Sequence, residues 1–281
     1  MKRNALILPA GPVLVISPHL DDAVLSAGGF LWELRQRGHE LIVLTVMAGI
    51  EGMRETDGGA KANRSGGLDS ANTDPFRARR IEDIRALEVL DLGYRHVDRE
   101  TALNRVRSDG TAFYPSGHHI QQGPAPDDPT RALVVEQLRA IDREFVHSSV
   151  LGPIGHGGHP DHEIVHAAVM EVFRDQCLYL WYDRPYSSNY RLRNPLARRV
   201  PMTDNAKVKK LEASNHYESQ TVQLFVTGSP SHEILGGGFE TFVKGNGFEV
   251  ELERIVRRVE LLSGSARYRL SPRHVLRRLR K

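Results

Sequence analysis

The chain has 281 residues, of which 40% are hydrophobic and 26% are charged, with a formal net charge of +3 at pH 7. These fractions are those of an ordinary soluble globular protein, and no apolar stretch reaches the roughly 18 residues that indicate a transmembrane helix. The single cysteine, Cys177, excludes an internal disulfide, and its apolar neighbours predict a core position. Pro9 and Pro12 interrupt the apolar run near the N-terminus, so we expect no signal peptide and a cytoplasmic location.

Along the chain, apolar runs bounded by turn residues alternate with longer amphipathic segments, a pattern typical of β-α units on a mainly parallel sheet. The predicted elements, in chain order, are the strand 13–17, the helix 22–37, the strand 41–46, the helix 76–90, the strand 94–97, the helix 130–145, the strand 149–151, the helix 160–173 and the strand 177–181. The pattern then weakens to a helix near 205–216, strand-like pieces at 222–226 and 239–243, and a final helix from about Glu249. These elements predict an α/β fold with a mainly parallel sheet flanked by helices.

Two long connections interrupt this pattern. The segment 47–75 is rich in Gly, Asn, Asp and Ser, and the segment 104–129 is rich in Pro and Gly. Connections of this length in a compact domain are usually lids, binding loops or disordered segments. The first follows the carboxyl end of the second predicted strand, the edge at which open α/β sheets bind ligands. We therefore expect both segments to be loops, the first of them close to a ligand site.

Positive charge is concentrated at the C-terminus. Residues 267–281 carry seven positive charges and no acidic residue, which leaves −4 for the rest of the chain. A basic tail can bind nucleic acid, anionic lipid or an acidic partner. Neither interleaved aromatic residues nor a nucleic-acid-binding motif accompanies these charges, so nucleic acid is not the expected partner. We favour a terminal helix that docks on the domain through Val275, Leu276 and Leu279.

Two segments, far apart in the chain, carry clusters of side chains that bind metal ions. The clusters lie at 17–22 and 156–162, and both follow predicted parallel strands whose carboxyl ends share one edge of the sheet. In the first cluster, His19 and Asp22 can bind one ion while Asp21 stays free. Either cluster alone is weak evidence, because an aspartate at a helix start is often only an N-cap. Together they predict a catalytic site, since two imidazoles and one carboxylate leave coordination positions open for water and substrate.

A competing motif overlaps the second cluster. The string His162-Glu163-Ile164-Val165-His166 matches the His-Glu-x-x-His motif of zinc metalloproteases. Pro160 places this string at a helix start instead of a helix interior, and Val169 and Val172 occupy the positions that the metzincin motif needs for Gly and His. The motif also leaves the first cluster unexplained. We therefore interpret His166 as a residue of the helix face and keep the metalloprotease as an alternative.

The two clusters together resemble a known family. The strings Pro18-His19-Leu20-Asp21-Asp22 and His159-Pro160-Asp161-His162 are similar to the paired motifs of the LmbE-like, or PIG-L, family of zinc-dependent N-deacetylases. The segment 79–83 resembles the arginine-led second helix of that family. The stretch from Lys207 to 217–220 resembles its later Lys…Tyr-x-Ser-Gln stretch. The resemblance therefore extends across much of the chain.

This resemblance implies a fold and an activity. The fold would be Rossmann-like, with one domain over residues 1–281. That domain would consist of a core at about 11–182, a smaller C-terminal part at 183–266 that completes the site, and the basic tail 267–281. The activity would be hydrolysis of an N-acetyl, or other small N-acyl, group from an amino-sugar conjugate such as an N-acetylglucosaminyl compound.

The resemblance also implies a ligand set and a general base. His19, Asp22 and His162 would bind zinc, and Asp21 would accept the proton from the attacking water. The same set of two histidines and one carboxylate suits ferrous iron. We prefer zinc because nothing in the sequence suggests redox chemistry.

Four further residues receive roles. His159 would face the developing oxyanion or the leaving amine, and Asp161 would lie behind it to orient the imidazole. Arg79 belongs to the segment that resembles the arginine-led helix of the family. Asp98 lies just past the third predicted strand, where its carboxylate can bind a sugar hydroxyl. Arg79 and Asp98 are therefore the candidate substrate-binding residues.

Three positions depart from the family pattern. Leu20 and Ala23 stand in the first motif, whose commonest form is Pro-His-Pro-Asp-Asp-Glu, and Gly157 stands where some sugar-thiol deacetylases carry tyrosine. None of the three is a ligand, so we expect hydrolysis to persist, while the substrate subclass and a tyrosine contact to the oxyanion stay open. A second alternative is a non-catalytic binding protein that keeps this fold and uses its basic tail.

Overall fold

The structure is a computed structural model that describes residues 6–68, 74–189, 194–220 and 234–263. Within these ranges seven strands form one sheet: β1 (Val13–Ser17), β2 (Leu41–Thr45), β3 (Gly93–His96), β4 (Ser149–Pro153), β5 (Leu178–Trp181), β6 (Arg198–Pro201) and β7 (Phe239–Lys244). The helices are α1 (Asp22–Gln36), α2 (Asp57–Ser65), α3 (Pro75–Val89), α4 (Thr130–Glu144), α5 (Pro160–Phe173), α6 (Asp204–Ser214) and α7 (Gly247–Ser263). The strand-like piece expected at 222–226 and the basic tail 267–281 lie outside the described residues.

The strand order is β3-β2-β1-β4-β5-β7-β6. The first five strands run parallel, and β7 pairs antiparallel with both β5 and β6. The chain runs outward from β1 to β2 and β3, and β4 then pairs with the other side of β1, so the strand order reverses between β1 and β4. Open α/β sheets bind ligands at the carboxyl edge of such a switch point. The predicted α/β fold, Rossmann-like with a mainly parallel sheet, is confirmed.

Both faces of the sheet are covered by helices, which explains the continuous apolar run of β1. Val13 and Val15 belong to the core cluster formed with α1 and α3, whereas Leu14 and Ile16 belong to the cluster formed with α4 and α5. All four side chains are at most 2% exposed. Among the described helices, none combines the length and the apolar character needed to cross a membrane.

The segment 47–75, expected to be a loop, contains the helix α2. Its N-cap is Thr56, whose hydroxyl accepts a hydrogen bond from the backbone N–H of Gly59. Asn104 accepts a hydrogen bond from the backbone N–H of Thr56, at 3.2 Å, and its side chain packs directly on Gly59. Glycine, which α2 contains, has a low intrinsic helix propensity, so the sequence of this segment alone does not predict a helix. Here capping and packing outweigh that low propensity, so the expected loop is in part a helix.

The C-terminal part of the chain is joined to the sheet and to α1. Lys210 of α6 and Glu240 of β7 form a fully buried ion pair of 2.7 Å. Glu240 also accepts hydrogen bonds from the backbone N–H groups of Gly29 and Phe30, at 2.9 and 2.7 Å. A carboxylate of β7 therefore accepts hydrogen bonds from two backbone amides in the middle of α1.

Two segments that carried the family resemblance contact each other. Tyr217 donates a hydrogen bond to Asp83 of α3 at 2.7 Å, and both side chains are buried. Two residues further on, Ser219 donates hydrogen bonds to Glu82 through its backbone N–H, at 3.0 Å, and its hydroxyl, at 2.6 Å. These contacts bring the stretch 217–220 next to the carboxyl edge of the sheet.

Candidate active site

The turn after β1 places the first cluster at the switch point. The Ser17 hydroxyl donates to the carbonyl of His19 at 2.8 Å and accepts the backbone N–H of Ala23 at 3.1 Å, which closes the turn. Asp21 has a φ of 132°, a region that residues other than glycine rarely occupy. Asp22 begins α1, and its Oδ2 accepts the backbone N–H of His19 at 2.8 Å. Strained backbone of this kind is concentrated at functional sites.

The turn after β4 places the second cluster at the same edge. A 3₁₀ turn at His156–Gly158 leads to His159, the N-cap of α5, and Pro160 occupies the first helical position. The His159 Nδ1 accepts the backbone N–H of Asp161 at 3.2 Å. His162 lies in the first turn of α5 and is fully buried. The local sequence therefore points His159 and His162 towards the turn after β1.

The structure brings His19, Asp22 and His162 together. The Oδ2 atom of Asp22 lies 3.2 Å from Nδ1 of His19 and 3.3 Å from Nε2 of His162. One ligand atom from each of the three residues lies within 4.8 Å of the others. The Nε2 atom of His162 is buried and has no hydrogen-bond partner among the described residues. A buried, unpartnered imidazole nitrogen beside a carboxylate and a second imidazole fits a divalent metal ion.

Both ligand histidines have a carboxylate on the side away from Asp22. Nε2 of His19 lies 2.8 Å from Oδ2 of Asp161, and Nδ1 of His162 lies 3.2 Å from Oδ1 of Asp183. Metal-binding histidines are typically held in this way through the nitrogen that does not bind the ion. Asp161 and Asp183 therefore fix the orientations of the His19 and His162 rings.

Asp161 differs from its expected role. Its carboxylate was expected to orient His159, but that carboxylate contacts His19, the Arg105 guanidinium at 2.5 Å and the backbone N–H of Ala102 at 2.9 Å. Only its backbone N–H donates to His159. His19, His159 and Asp161 also form a second set of groups close enough to share an ion. The first set fits better, because three donors already surround the Asp161 carboxylate.

The two adjacent aspartates have opposite electrostatic environments. Burial and the negative charge of Asp22 raise the pKa of the Asp21 carboxyl to about 8, and Arg79 acts in the opposite direction. Burial alone would raise the pKa of Asp22, but His162 and His19 lower it below its ordinary value. Two carboxyls whose pKa values are driven apart are suited to different roles. Asp22 is thus suited to be an ionised ligand, and Asp21 to exchange a proton near neutral pH.

His159 is electrically unlike the other two histidines. Burial lowers the pKa of His159 to about 3, so its ring is neutral at pH 7. Burial also acts on His19, but hydrogen bonds to Asp161 and Asp22 raise the pKa of that ring to about 10. The neutral His159 ring accepts a hydrogen bond at Nδ1, so its proton is assigned to Nε2.

A cavity of about 180 Å³ opens onto these groups. Its lining residues from the two clusters are His19, Asp21, Asp22 and His159, and further lining residues include Gly59, Asn63, Phe76, Arg79, Asn104, Tyr186 and Gln220. Arg79 reaches the cavity, and its Nε is buried without a hydrogen-bond partner among the described residues. Asp98 is not part of the lining: its side chain is 71% exposed and pairs with Arg80 at 2.5 Å. The structure therefore brings Arg79, but not Asp98, to the site.

Sequence reasoning missed Asp183 and Tyr186, which follow β5 at the same edge of the sheet. The Tyr186 ring centroid lies 5.1 Å from that of His162. Tyr186 also occupies the space beside Gly157, where an added Cβ would lie 2.7 Å from the ring. A tyrosine from another segment therefore lies beside the glycine where some related sequences carry their own tyrosine. The position of 183–186 directly after a predicted strand was the available signal.

The two histidines of the His-Glu-x-x-His string, His162 and His166, lie in different environments. Nδ1 of His166 lies 3.1 Å from the carbonyl oxygen of Pro153, and among the described residues His166 joins neither group of metal-binding side chains. Glu163 and His166 line a different cavity of about 850 Å³, which His162 does not line. The arrangement does not support a protease site that uses both histidines.

Comparison with known proteins identifies relatives of the chain. Residues 14–173 match the family model "PIG-L: GlcNAc-PI de-N-acetylase". The 1D-myo-inositol 2-acetamido-2-deoxy-alpha-D-glucopyranoside deacetylase of Corynebacterium kroppenstedtii is 33% identical over 170 residues, 57% of this chain and 41% of the relative. The 2'-N-acetylparomamine deacetylase of Streptomyces fradiae is 31% identical over 184 residues, 64% of this chain and 59% of the relative. The chain thus spans about half the length of the curated relatives it matches.

The fold has a close structural counterpart. It is similar to the crystal structure of the zinc-inhibited form of a teicoplanin deacetylase, with a TM-score of 0.70 and 27% sequence identity, covering 83% of this chain and 98% of the other. The match to the family model includes both motif clusters and extends over more than half of the 281 residues. The chain therefore belongs to the PIG-L family, whose model describes GlcNAc-PI de-N-acetylases.

Proposed function

We propose that this protein is a metal-dependent N-deacetylase that removes an acetyl, or another small acyl, group from an amino-sugar conjugate. The observation that carries the proposal is the group of His19, Asp22 and His162. The unpartnered Nε2 of His162 lies 3.3 Å from Asp22, which lines the same cavity as His19 and Asp21. The relatives support the substrate class, because their names describe deacetylation of N-acetylated amino sugars. The small volume of the cavity favours a short acyl group.

His19, Asp22 and His162 would hold the metal ion, and we propose zinc. When bound, a divalent ion polarises the amide carbonyl and lowers the pKa of a water molecule. Nitrogen and oxygen ligands in this ratio suit zinc, and they also suit ferrous iron. Reconstitution with one equivalent of each ion under anaerobic conditions separates the two, and higher turnover with iron would overturn the choice of zinc. Excess zinc is avoided because a related deacetylase has a zinc-inhibited form.

Asp21 accepts the proton of the attacking water in this proposal. Its carboxyl lies at the cavity, and burial with the charge of Asp22 places its pKa near the working range of a base. Arg79 is close enough to act on this carboxyl electrostatically, and it stabilises the ionised form. General-base catalysis of this kind typically contributes roughly 10²–10⁴-fold to the rate.

His159 and Tyr186 are the donors for the negative charge that develops on the substrate. The proton of the neutral His159 ring is on Nε2, since Nδ1 accepts the Asp161 N–H. Burial, and then the negative charges of Asp22 and Asp21, raise the pKa of Tyr186, so its phenol keeps its proton. Both residues line the cavity. Donors of this kind stabilise an oxyanion or protonate the departing amine.

The C-terminal part completes the site in this proposal, and residues 1–281 act as one domain. Asp183 and Tyr186 lie in the part 183–266, and β6 and β7 of the same part extend the single sheet. The basic tail 267–281 has no role in the reaction as proposed.

The test is the substitution Asp21→Asn, assayed on a panel of N-acetylglucosaminides. Asparagine cannot accept the proton, so we expect a decrease in kcat of roughly 10²–10⁴-fold. The metal content, measured by mass spectrometry, should stay at that of the wild type because Asp21 is not a ligand. Unimpaired turnover at full metal occupancy would remove Asp21 from the role of base.

A further inference from the structure

We infer that Asp183 is a positioning residue, which fixes the tautomer and the orientation of the metal ligand His162. The inference rests on the proposed function, since it assumes that His162 binds the ion. Asp183 was not among the residues that sequence motifs indicated. It reaches the site from the segment after β5, two residues beyond the last residue of that strand.

The carboxylate of Asp183 joins two parts of the second cluster. It is fully buried, its Oδ2 accepts the backbone N–H of His156 at 2.8 Å, and its Oδ1 lies 3.2 Å from Nδ1 of His162. Each carboxylate oxygen therefore has one nitrogen partner. The first bond fixes the carboxylate relative to the turn after β4, and the second fixes the imidazole relative to the carboxylate.

These bonds determine which nitrogen of His162 faces the site. With its proton on Nδ1 and directed at Asp183, the neutral ring presents the lone pair of Nε2 towards Asp22, 3.3 Å away. That Nε2 atom is the buried nitrogen without a hydrogen-bond partner among the described residues. Without the acceptor at Nδ1, the ring loses its tautomer preference and its rotational restraint. The ligand is then no longer organised before the ion arrives.

The chain offers a matched control at a second buried carboxylate–histidine pair. Glu253 is 2% exposed, and its Oε1 lies 3.2 Å from Nε2 of His156. His156 belongs to neither group of side chains that could hold an ion among the described residues. Glu253→Gln therefore removes a buried charge next to a buried histidine without touching a proposed ligand.

The informative substitution is Asp183→Asn, which keeps the size of the side chain. The amide has one acceptor oxygen where the carboxylate has two, so either the His156 N–H or the His162 Nδ1–H loses its acceptor. Asp183→Glu provides the complementary test, because it keeps the charge and displaces the carboxylate by one methylene. If position matters, glutamate does not restore the wild-type behaviour.

The experiment measures the affinity of the full chain for Zn²⁺ by competition with a chromophoric chelator, in the wild type, Asp183→Asn, Asp183→Glu, Glu253→Gln and His162→Ala. We expect Asp183→Asn to weaken Zn²⁺ binding roughly 10–100-fold. We expect Asp183→Glu also to bind weakly and Glu253→Gln to bind like the wild type. Proton-detected ¹⁵N spectra of the Zn²⁺-loaded wild type should show His162 protonated at Nδ1, a signal that Asp183→Asn shifts or loses. Thermal unfolding of each variant checks that it is folded.

The outcomes separate this inference from the proposed function. Wild-type affinity in Asp183→Asn, together with weak binding in His162→Ala, would overturn the positioning role and leave the metal site intact. Full recovery in Asp183→Glu would replace positioning by a simple effect of charge. Equal binding by the wild type and His162→Ala would overturn the proposed metal site, and the role of Asp183 with it.

Discussion

At the residue scale, the histidines of the site are distinguished by what their ring nitrogens meet. Both nitrogens of His19 face carboxylates, those of Asp22 and Asp161. The ring nitrogens of His162 are similarly placed between two carboxylates. His159 receives a backbone N–H at Nδ1, and burial keeps its ring neutral. The carboxylates suit His19 and His162 to metal binding, whereas the neutral ring of His159 can donate a hydrogen bond to an oxyanion.

The position of the Tyr186 ring requires that residue 157 has no side chain. We predict that Gly157→Ala lowers kcat, because the new Cβ would lie 2.7 Å from the Tyr186 ring and displace the phenol from the cavity. The variant should also be less stable, since Gly157 has a φ of 93°, which alanine adopts only with strain. Steady-state kinetics on an N-acetylglucosaminide and thermal unfolding measure the two effects.

Gly52→Ala is the matched control for this prediction. Gly52 has a φ of 73°, and an added Cβ would meet no atom within 4 Å. The control therefore shares the backbone strain and lacks the contact with Tyr186, so it should lower the unfolding temperature and leave kcat unchanged. An equal kcat in Gly157→Ala and Gly52→Ala would contradict a role for Tyr186 in the reaction.

At the scale of elements, the start of α5 decides between hydrolysis of an amino-sugar amide and proteolysis. His159 lines the cavity of the site and His162 lies 3.3 Å from Asp22, whereas Glu163 and His166 line the separate larger cavity. The Pro160 ring at the first helical position fixes where the helix begins. His162 and His166 are one helical turn apart, and this separation places His162 beside Asp22 and His166 in the larger cavity.

This separation gives a prediction for two alanine variants. His159→Ala should lower kcat by roughly 10²–10³-fold, the usual effect of losing one oxyanion donor, with zinc content and KM nearly unchanged. His166→Ala should keep both zinc and turnover, because its Nδ1 bonds to the Pro153 carbonyl and not to an ion. Zinc stoichiometry and kinetics of both proteins provide the measurement. Loss of zinc from His166→Ala would refute the ligand assignment.

Much of the element pattern could be predicted from the sequence, because buried parallel strands are continuous apolar runs. The helix predicted at 160–173 is α5, and the helix predicted at 22–37 ends one residue earlier, at Gln36. The helix α2 was missed because its stability comes from contacts with Asn104, a residue distant in the chain. The strand β6 was missed because it lies at an edge of the sheet and contains two arginines and a proline.

The candidate site was predictable only where its residues form motifs. His19, Asp22 and His162 stand in short strings at the ends of strands, and the structure places them around a common point. Asp183 and Tyr186 form no motif, and their role depends on β5 lying next to β4 in the sheet. Spatial proximity of that kind is a property of the tertiary structure, so local reasoning on the sequence could not supply it.

At the scale of the whole molecule, the buried carboxylate of Glu240 joins the C-terminal part to α1, the helix that begins with Asp22, and it forms an ion pair within the C-terminal part. Glu240 of β7 receives the ammonium of Lys210 and the backbone N–H groups of Gly29 and Phe30. Both charged side chains are fully buried. Burial lowers the pKa of Lys210, and the charge of Glu240 opposes this effect. Burying both charges costs desolvation free energy, which their mutual attraction offsets. Removing one partner should therefore destabilise the protein more than removing both.

We predict that Lys210→Met destabilises the protein by about 3–5 kcal/mol, the usual cost of leaving one buried charge without its partner. The double variant Lys210→Met/Glu240→Gln should be less destabilised, because the glutamine oxygen can still accept one α1 N–H and no charge is left in the core. Urea unfolding at pH 7 gives the free energy of unfolding of the wild type and both variants.

The pH dependence of the same variants tests the cause. In Lys210→Met the buried Glu240 carboxyl has no counter-ion, so its pKa in the folded state should rise above its value in the unfolded chain. The folded variant then binds more protons than the unfolded one, and its stability falls as the pH rises through this interval. The deficit relative to the wild type should therefore grow from pH 5 to pH 7, whereas the double variant, which lacks the carboxyl, should show no such growth. A deficit in Lys210→Met of roughly 1 kcal/mol at both pH values, the size expected of an exposed pair, would mean that water reaches Glu240 and that the pair is not buried in solution.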